Sequence, residues 1–162
     1  MRLLFISAVL LVSALTAGAQ NCNIKNAYAF YTVTMPGMQM ADEHGNPIPV
    51  KPSISRFIYV EWSGTTMPVI DVVLYNNKAL PATLTAVKGS TVIPGTEMTD
   101  NRKHKISAKK GNKLWKIELQ PAGDEAMPAT GCKNILIKIK GKAKACSFKV
   151  AREKELAVLP SY

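Results

Sequence analysis

The feature that most constrains this chain is a period-two apolar alternation recurring between turn residues, with almost no helical spacing. From Arg56 to Trp62, Ile58, Val60 and Trp62 fall on one side of an extended chain, and Phe57 and Tyr59 on the other. Ala27 to Thr34 is β-prone through Tyr28, Phe30, Tyr31 and Val33. Val69 to Asn76 is a dense apolar run that reads as a strand buried on both faces, and Asn76-Asn77-Lys78 turns it into a further strand over Leu80 to Val87. Lys105 to Lys109 and Leu114 to Gln120 flank Lys110-Gly111-Asn112 and read as a hairpin, with Trp115, Ile117 and Leu119 on one face of its second arm. The prolines fall mostly between these runs, which places Pro81 at a strand start or edge. The pattern predicts an all-β fold: one antiparallel β-sandwich of about seven to nine strands, immunoglobulin-like in general architecture.

Parity decides the next stretch. Ile135, Ile137 and Ile139 are apolar at odd positions, whereas Cys146, Phe148 and Val150 are apolar at even ones. One continuous strand would send the two sets to opposite faces. A two-residue turn at Gly141-Lys142 unites them, pairing Ile135 with Phe148, Ile137 with Cys146 and Lys133 with Val150. That register bears on the three cysteines, Cys22, Cys132 and Cys146. It separates Cys132 from Cys146 by about 16 Å at ~3.3 Å per residue, while a disulfide needs Cα atoms within ~7 Å. The expected bridge is therefore Cys22–Cys132, with Cys146 as a buried thiol beside Phe148. No Cys-x-x-Cys is present, so a thioredoxin-like role lacks its motif.

Residues 1–19 carry a targeting pattern. Arg2 precedes an apolar run from Leu3 to Ala17, and Ala17-Gly18-Ala19 has the small-x-small form of a signal peptidase site. The run is shorter than the ~20 residues of a membrane-spanning helix. A lipoprotein signal is disfavoured because Asn21, rather than a small residue, precedes Cys22. The expected mature chain is 20–162, one domain with no transmembrane segment, exported to the periplasm or beyond. Gln20 directly after the cleavage site resembles exported proteins of Gram-negative bacteria.

Two features suggest chemistry. Met35, Met38 and Met40 cluster ahead of His44, and thioether sulfur is a soft ligand suited to Cu(I). The spacing resembles the Met motifs of exported bacterial copper-binding proteins, over ten residues at most. His44 sits in Asp42-Glu43-His44-Gly45-Asn46-Pro47, a turn composition. The plainer reading is a strand end and loop whose methionines pack on the core.

The other feature is charge. Between Arg102 and Lys154 fifteen Lys/Arg face four acids, whereas residues 20–100 hold five bases and six acids, so nearly all of the +10 lies in the C-terminal half. Candidate surface residues are Arg102, Lys103, Lys105, Lys109, Lys110, Lys138, Lys140 and Lys142. Such a field attracts polyanions. Thirteen of the fifteen are Lys, which lacks the bidentate fork of Arg, so sequence-specific nucleic-acid recognition is not expected. Lipopolysaccharide, an acidic glycan or an acidic envelope protein fits better, and the plainer reading is a solvated face that guards strand edges.

Catalytic motifs are missing: no Gly-x-Ser-x-Gly elbow, His-Glu-x-x-His pair or phosphate-binding loop occurs. His44 and His104 both read as exposed loop residues. Glu61 beside Trp62 could belong to a carboxylate pair of a hydrolase, but a half-exposed strand position explains it. The sequence thus points to an exported, non-catalytic envelope protein without a cofactor. A small periplasmic Cu(I)-binding protein using Met35, Met38, Met40 and His44 is the runner-up.

Overall fold

The computed structural model describes residues 22–35, 41–48, 52–121, 134–140, 146–150 and 152–157, which form strands and turns with no helix among them. The first sheet has five strands: β1 (Ile24–Thr34), β2 (Ser53–Trp62), β5 (Ala82–Ala86), β8 (Lys113–Leu119) and β11 (Lys154–Glu155). Their order is β11-β1-β2-β8-β5, all antiparallel except β11 beside β1. The second sheet contains β3 (Ile70–Tyr75), β4 (Lys78–Leu80), β9 (Ile135–Ile139) and β10 (Cys146–Val150), in the order β10-β9-β3-β4. A separate hairpin is made by β6 (Thr91–Thr96) and β7 (Lys103–Ser107). The expected all-β class is the observed one, with sheets packed face to face as in a sandwich, and eleven strands are described where about seven to nine are expected.

The alternation along β2 explains the layering. Ile58, Val60 and Trp62 face the second sheet, where they meet Val73, Tyr75, Leu80, Ile135, Ile137, Ile139 and Val150 in the main core. Ile117 and Leu119 of β8 join them, on the face the sequence assigned. Tyr59 points the opposite way and packs with Phe30, Ile106, Leu114 and Leu156 under the β6–β7 hairpin, with half-buried Phe57 at the margin. This second core is rich in rings, with Phe30 5.9 Å from Phe57 and 6.3 Å from Tyr59 between centroids, an arrangement that adds to area burial. The hairpin is drawn down at Gly95, where a Cβ would lie 3.4 Å from Leu156 and φ is +155°. The central sheet is therefore covered on both sides.

Several expectations need correction. The turn around Gly111 exists, with Asn112 N–H donating to Lys109 O at 3.0 Å, but it does not close a hairpin. β7 pairs with β6, whereas β8 pairs with β2 and β5, so this turn carries the chain between layers. The strand expected over Leu80 to Val87 is broken at exposed Pro81: β4 pairs with β3 in one sheet and β5 with β8 in the other. Proline cannot donate to a ladder and fits such a corner. Val69 to Asn76 yields β3, but only Val73 and Tyr75 are fully buried, and Val72 and Leu74 are half-buried on the outward face. Asn76 and Asn77 adopt positive φ of 48° and 67°, as a two-residue hairpin turn requires.

The β9–β10 hairpin forms, but Cys146 faces Ile139, Phe148 faces Ile137 and Val150 faces Ile135. This is a shift of two residues from the expected register, so every side chain keeps its face. The turn at Gly141-Lys142 falls outside the described residues. Cys146 begins β10 opposite Ile139, the last residue of β9, and there it is bonded to Cys22 with a Cα–Cα distance of 5.8 Å. Cys22–Cys146 thus replaces the expected Cys22–Cys132 bridge, and Cys146 is not a thiol. Cys132 itself lies outside the described residues.

The bridge spans 124 positions and ties the margin of one sheet to the margin of the other. Peptide mapping of the oxidised protein should recover a Cys22–Cys146 cross-link, and Cys146→Ser should cost about 2–5 kcal/mol by denaturant titration. A Cys22–Cys132 peptide would contradict the register.

Candidate functional site

Five places hold the residues that could carry chemistry. The first is a cleft of about 470 Å³ where β1, β11 and the tip of the β6–β7 hairpin meet, lined in part by Tyr31, Glu97, Met98, Arg152, Lys154 and Glu155. Backbone bonds assemble it: Leu156 N–H donates to Tyr31 O at 2.9 Å, and Ala157 N–H to Thr96 O at 2.8 Å. Beside it, Lys154 Nζ lies 3.1 Å from both Glu97 Oε2 and His104 Nε2, which are themselves 3.0 Å apart. Burial works to raise the Glu97 pKa, but the hydrogen bond and charge of Lys154 outweigh it and hold the carboxyl below its ordinary value. Tyr31 OH donates to Glu155 at 2.9 Å.

His104 was expected in an exposed loop. It lies in β7, half-buried, with its ring 5.2 Å from that of Phe30. None of the cleft residues stands out in the sequence, because they come from three separate segments that only sheet pairing unites.

Behind the cleft is a buried ion pair. Arg56 Nε is 3.6 Å from Glu153 Oε2, both side chains almost wholly enclosed. The Arg56 guanidinium lies 4.7 Å from the centre of the Tyr75 ring, and Tyr75 OH donates to Glu153. Burial, then the carboxylate it serves, push the Tyr75 phenol well above its usual range. Each glutamate lining the cleft is thus engaged by a base or a phenol.

Glu61 is the third place. It is 2% exposed, not half-exposed as its strand position suggested. It points under the hairpin, where it accepts bonds from Lys109 N–H at 2.9 Å and from the side-chain amides of Asn26 and Asn112. Burial raises its pKa, and these three donors more than reverse the effect, leaving the carboxyl below its ordinary value. Among the described residues, no second carboxylate is one of its hydrogen-bond partners. Its work is to hold the β7–β8 turn and the bulge of β1 against β2.

The fourth place is the basic surface, and the fold divides it. Arg102, Lys103, Lys105, Lys109 and Lys110 are all exposed on β7 and its flanking turns. Lys103 and Lys105 point outward, opposite to buried Ile106. Lys138 is half-buried on the outward face of the second sheet, and Lys140 follows just beyond β9. The central sheet separates this pair from the β7 ridge. Lys142 lies outside the described residues.

The methionine cluster is only partly described. Met35 is 70% exposed at the end of β1. His44 is exposed in the predicted turn, where Asp42 Oδ1 accepts from its N–H at 2.9 Å and from Asn46 N–H at 2.8 Å. Met38 and Met40 lie outside the described residues. Among the described residues, no three His, Cys, Asp or Glu converge as metal ligands.

Comparison with protein families, with characterised proteins and with solved structures finds no significant match.

The sign for Glu61 follows from its depressed pKa: the stabilisation is present above the unfolded value near 4.5 and is lost as pH falls through the folded value. Glu61→Gln turns an amide group toward donors. It should cost about 1–3 kcal/mol at pH 7 and leave a shallower fall in stability below pH 4.5 than the wild type shows, measured by denaturant titration across pH.

Proposed function

We propose that the protein is an exported, non-catalytic module that binds an anionic partner through the basic ridge of β7 and its flanking turns. The observation that carries this reading is the exposure of Arg102, Lys103, Lys105, Lys109 and Lys110 along one hairpin edge, with Asp100 pairing Arg102 at 3.2 Å. Among the described residues no ion pair engages the side chains of Lys103, Lys105, Lys109 and Lys110, which form one field along the hairpin. An acidic glycan, lipopolysaccharide or an acidic envelope protein supplies the complementary charge. The Cys22–Cys146 disulfide supports export, since such bonds persist in oxidising compartments. The non-catalytic reading is supported by Glu61, Glu97, Glu153 and Glu155, each of which is committed to a structural partner.

Purified protein should bind a sulfated-polysaccharide column and elute with salt, as screened surface charge requires. Lys103→Glu with Lys105→Glu should elute at clearly lower salt, while Lys138→Glu with Lys140→Glu should elute near the wild type. Equal losses from both pairs would remove the ridge as the binding surface.

A second reading is favoured by the 70% exposure of Met35, which leaves its thioether available to a soft cation instead of packed in the core. Here Met35, Met38, Met40 and His44 would take Cu(I). In competition with a Cu(I) chelator, the wild type should withdraw metal and Met38→Ala with Met40→Ala should not. Withdrawal by neither would end this reading.

A further inference from the structure

We propose that the outward face of the β6–β7 hairpin docks on an anionic lipid bilayer. This rests on the reading of the β7 ridge as an anion-binding surface and names its partner. Two independent features coincide on the hairpin.

One is charge. Lys103 and Lys105 project from the outward face of β7, and Arg102 and Lys109 extend the row at its two ends. From Lys103 to Lys109 the ridge runs about 20 Å at ~3.3 Å per residue.

The other feature is apolar. Ile93 of β6 is 57% exposed and Met98 at the hairpin tip is 56% exposed. Ile93 is outward because its neighbour Val92 is paired with Ile106 and turned into the second core. Lys103, opposite Thr96, lies on that same outward face by the alternation of β7. The hairpin therefore presents Ile93 on the face of its lysines and Met98 exposed at its tip, where the residue also borders the cleft.

A hydrated polyanion answers the lysines but offers nothing to Ile93 and Met98. A bilayer surface offers both: headgroup phosphates attract juxtaposed bases, and the acyl boundary accepts apolar side chains that enter a few ångströms. The hairpin is suited to this geometry because its inward face is already fastened, by Ile106 and Val92 to the second core and by the Thr96–Ala157 bond to the central sheet.

The test is co-sedimentation of the full chain with sucrose-loaded vesicles. With phosphatidylglycerol–phosphatidylcholine vesicles at low salt, the wild type should pellet; with pure phosphatidylcholine it should stay in solution. Ile93→Ser with Met98→Ser should weaken binding to the anionic vesicles about fivefold to tenfold while leaving retention on the sulfated-polysaccharide column unchanged. Both sites are exposed, and an unchanged unfolding transition would show that the variant is folded. Undiminished vesicle binding by this variant would overturn the proposal and leave a ridge that recognises charge alone. Failure of the wild type to pellet with anionic vesicles would overturn it too. Loss of column retention as well would place the fault in the broader reading of the ridge.

Discussion

The fold depends on burying β2 from both sides. A strand covered on one face needs apolar residues at alternate positions only; one covered on both needs them nearly everywhere, and any charge it carries must be answered within the protein. From Arg56 to Trp62, β2 meets that condition with two exceptions, one per face. Arg56 looks toward the second sheet and is met by Glu153 and the Tyr75 ring. Glu61 looks toward the hairpin and is met by amides. Removing one partner of a buried ion pair strands the other at a cost of roughly 3–5 kcal/mol. These two charges thus fix which layer lies on which side.

The layers are held in place where the chain crosses between them. At one margin the strand itself changes sheets at Pro81, and Gln120 N–H bonds to Pro81 O at 3.0 Å beside the corner. At the other margin the chain passes from β10 to β11, bringing Glu153 inside as it goes, and the Cys22–Cys146 bond closes the far end of β1. β11 is only two residues long, yet its segment bonds both to β1 and to the end of β6, so it joins the hairpin to the central sheet. The cleft of Glu97, Lys154 and Glu155 is a by-product of that three-way junction.

Much of this was legible from the residues. Alternation identified β2, β8 and their faces, and parity identified the β9–β10 hairpin, because a half-buried strand leaves a direct trace in the sequence. What failed was of another kind. Lys110-Gly111-Asn112 has the composition of a turn, but composition does not say whether the two arms pair, and here they belong to different layers. The cysteine pairing turned on which end of the second sheet the start of β1 meets, a matter of how the sheets stack that alternation does not record. Glu61 has polar partners 35, 48 and 51 positions away, and no local pattern announces so distant a set. The basic half of the sequence read as one field until the central sheet separated Lys103 and Lys105 from Lys138 and Lys140.

The placement of Glu153 and Leu156 has a kinetic consequence. Both cores are finished by residues 146–157: Val150 enters one, Leu156 the other, and Glu153 neutralises Arg56 between them. A chain emerging in order can therefore pair β1 with β2 early, but β8, β10 and β11, which complete the burial of both, come only later. Pairings of such long sequence separation form slowly, so neither core closes ahead of synthesis. The Cys22–Cys146 disulfide, whose halves lie 124 positions apart, likewise forms only once both ends of the chain are present.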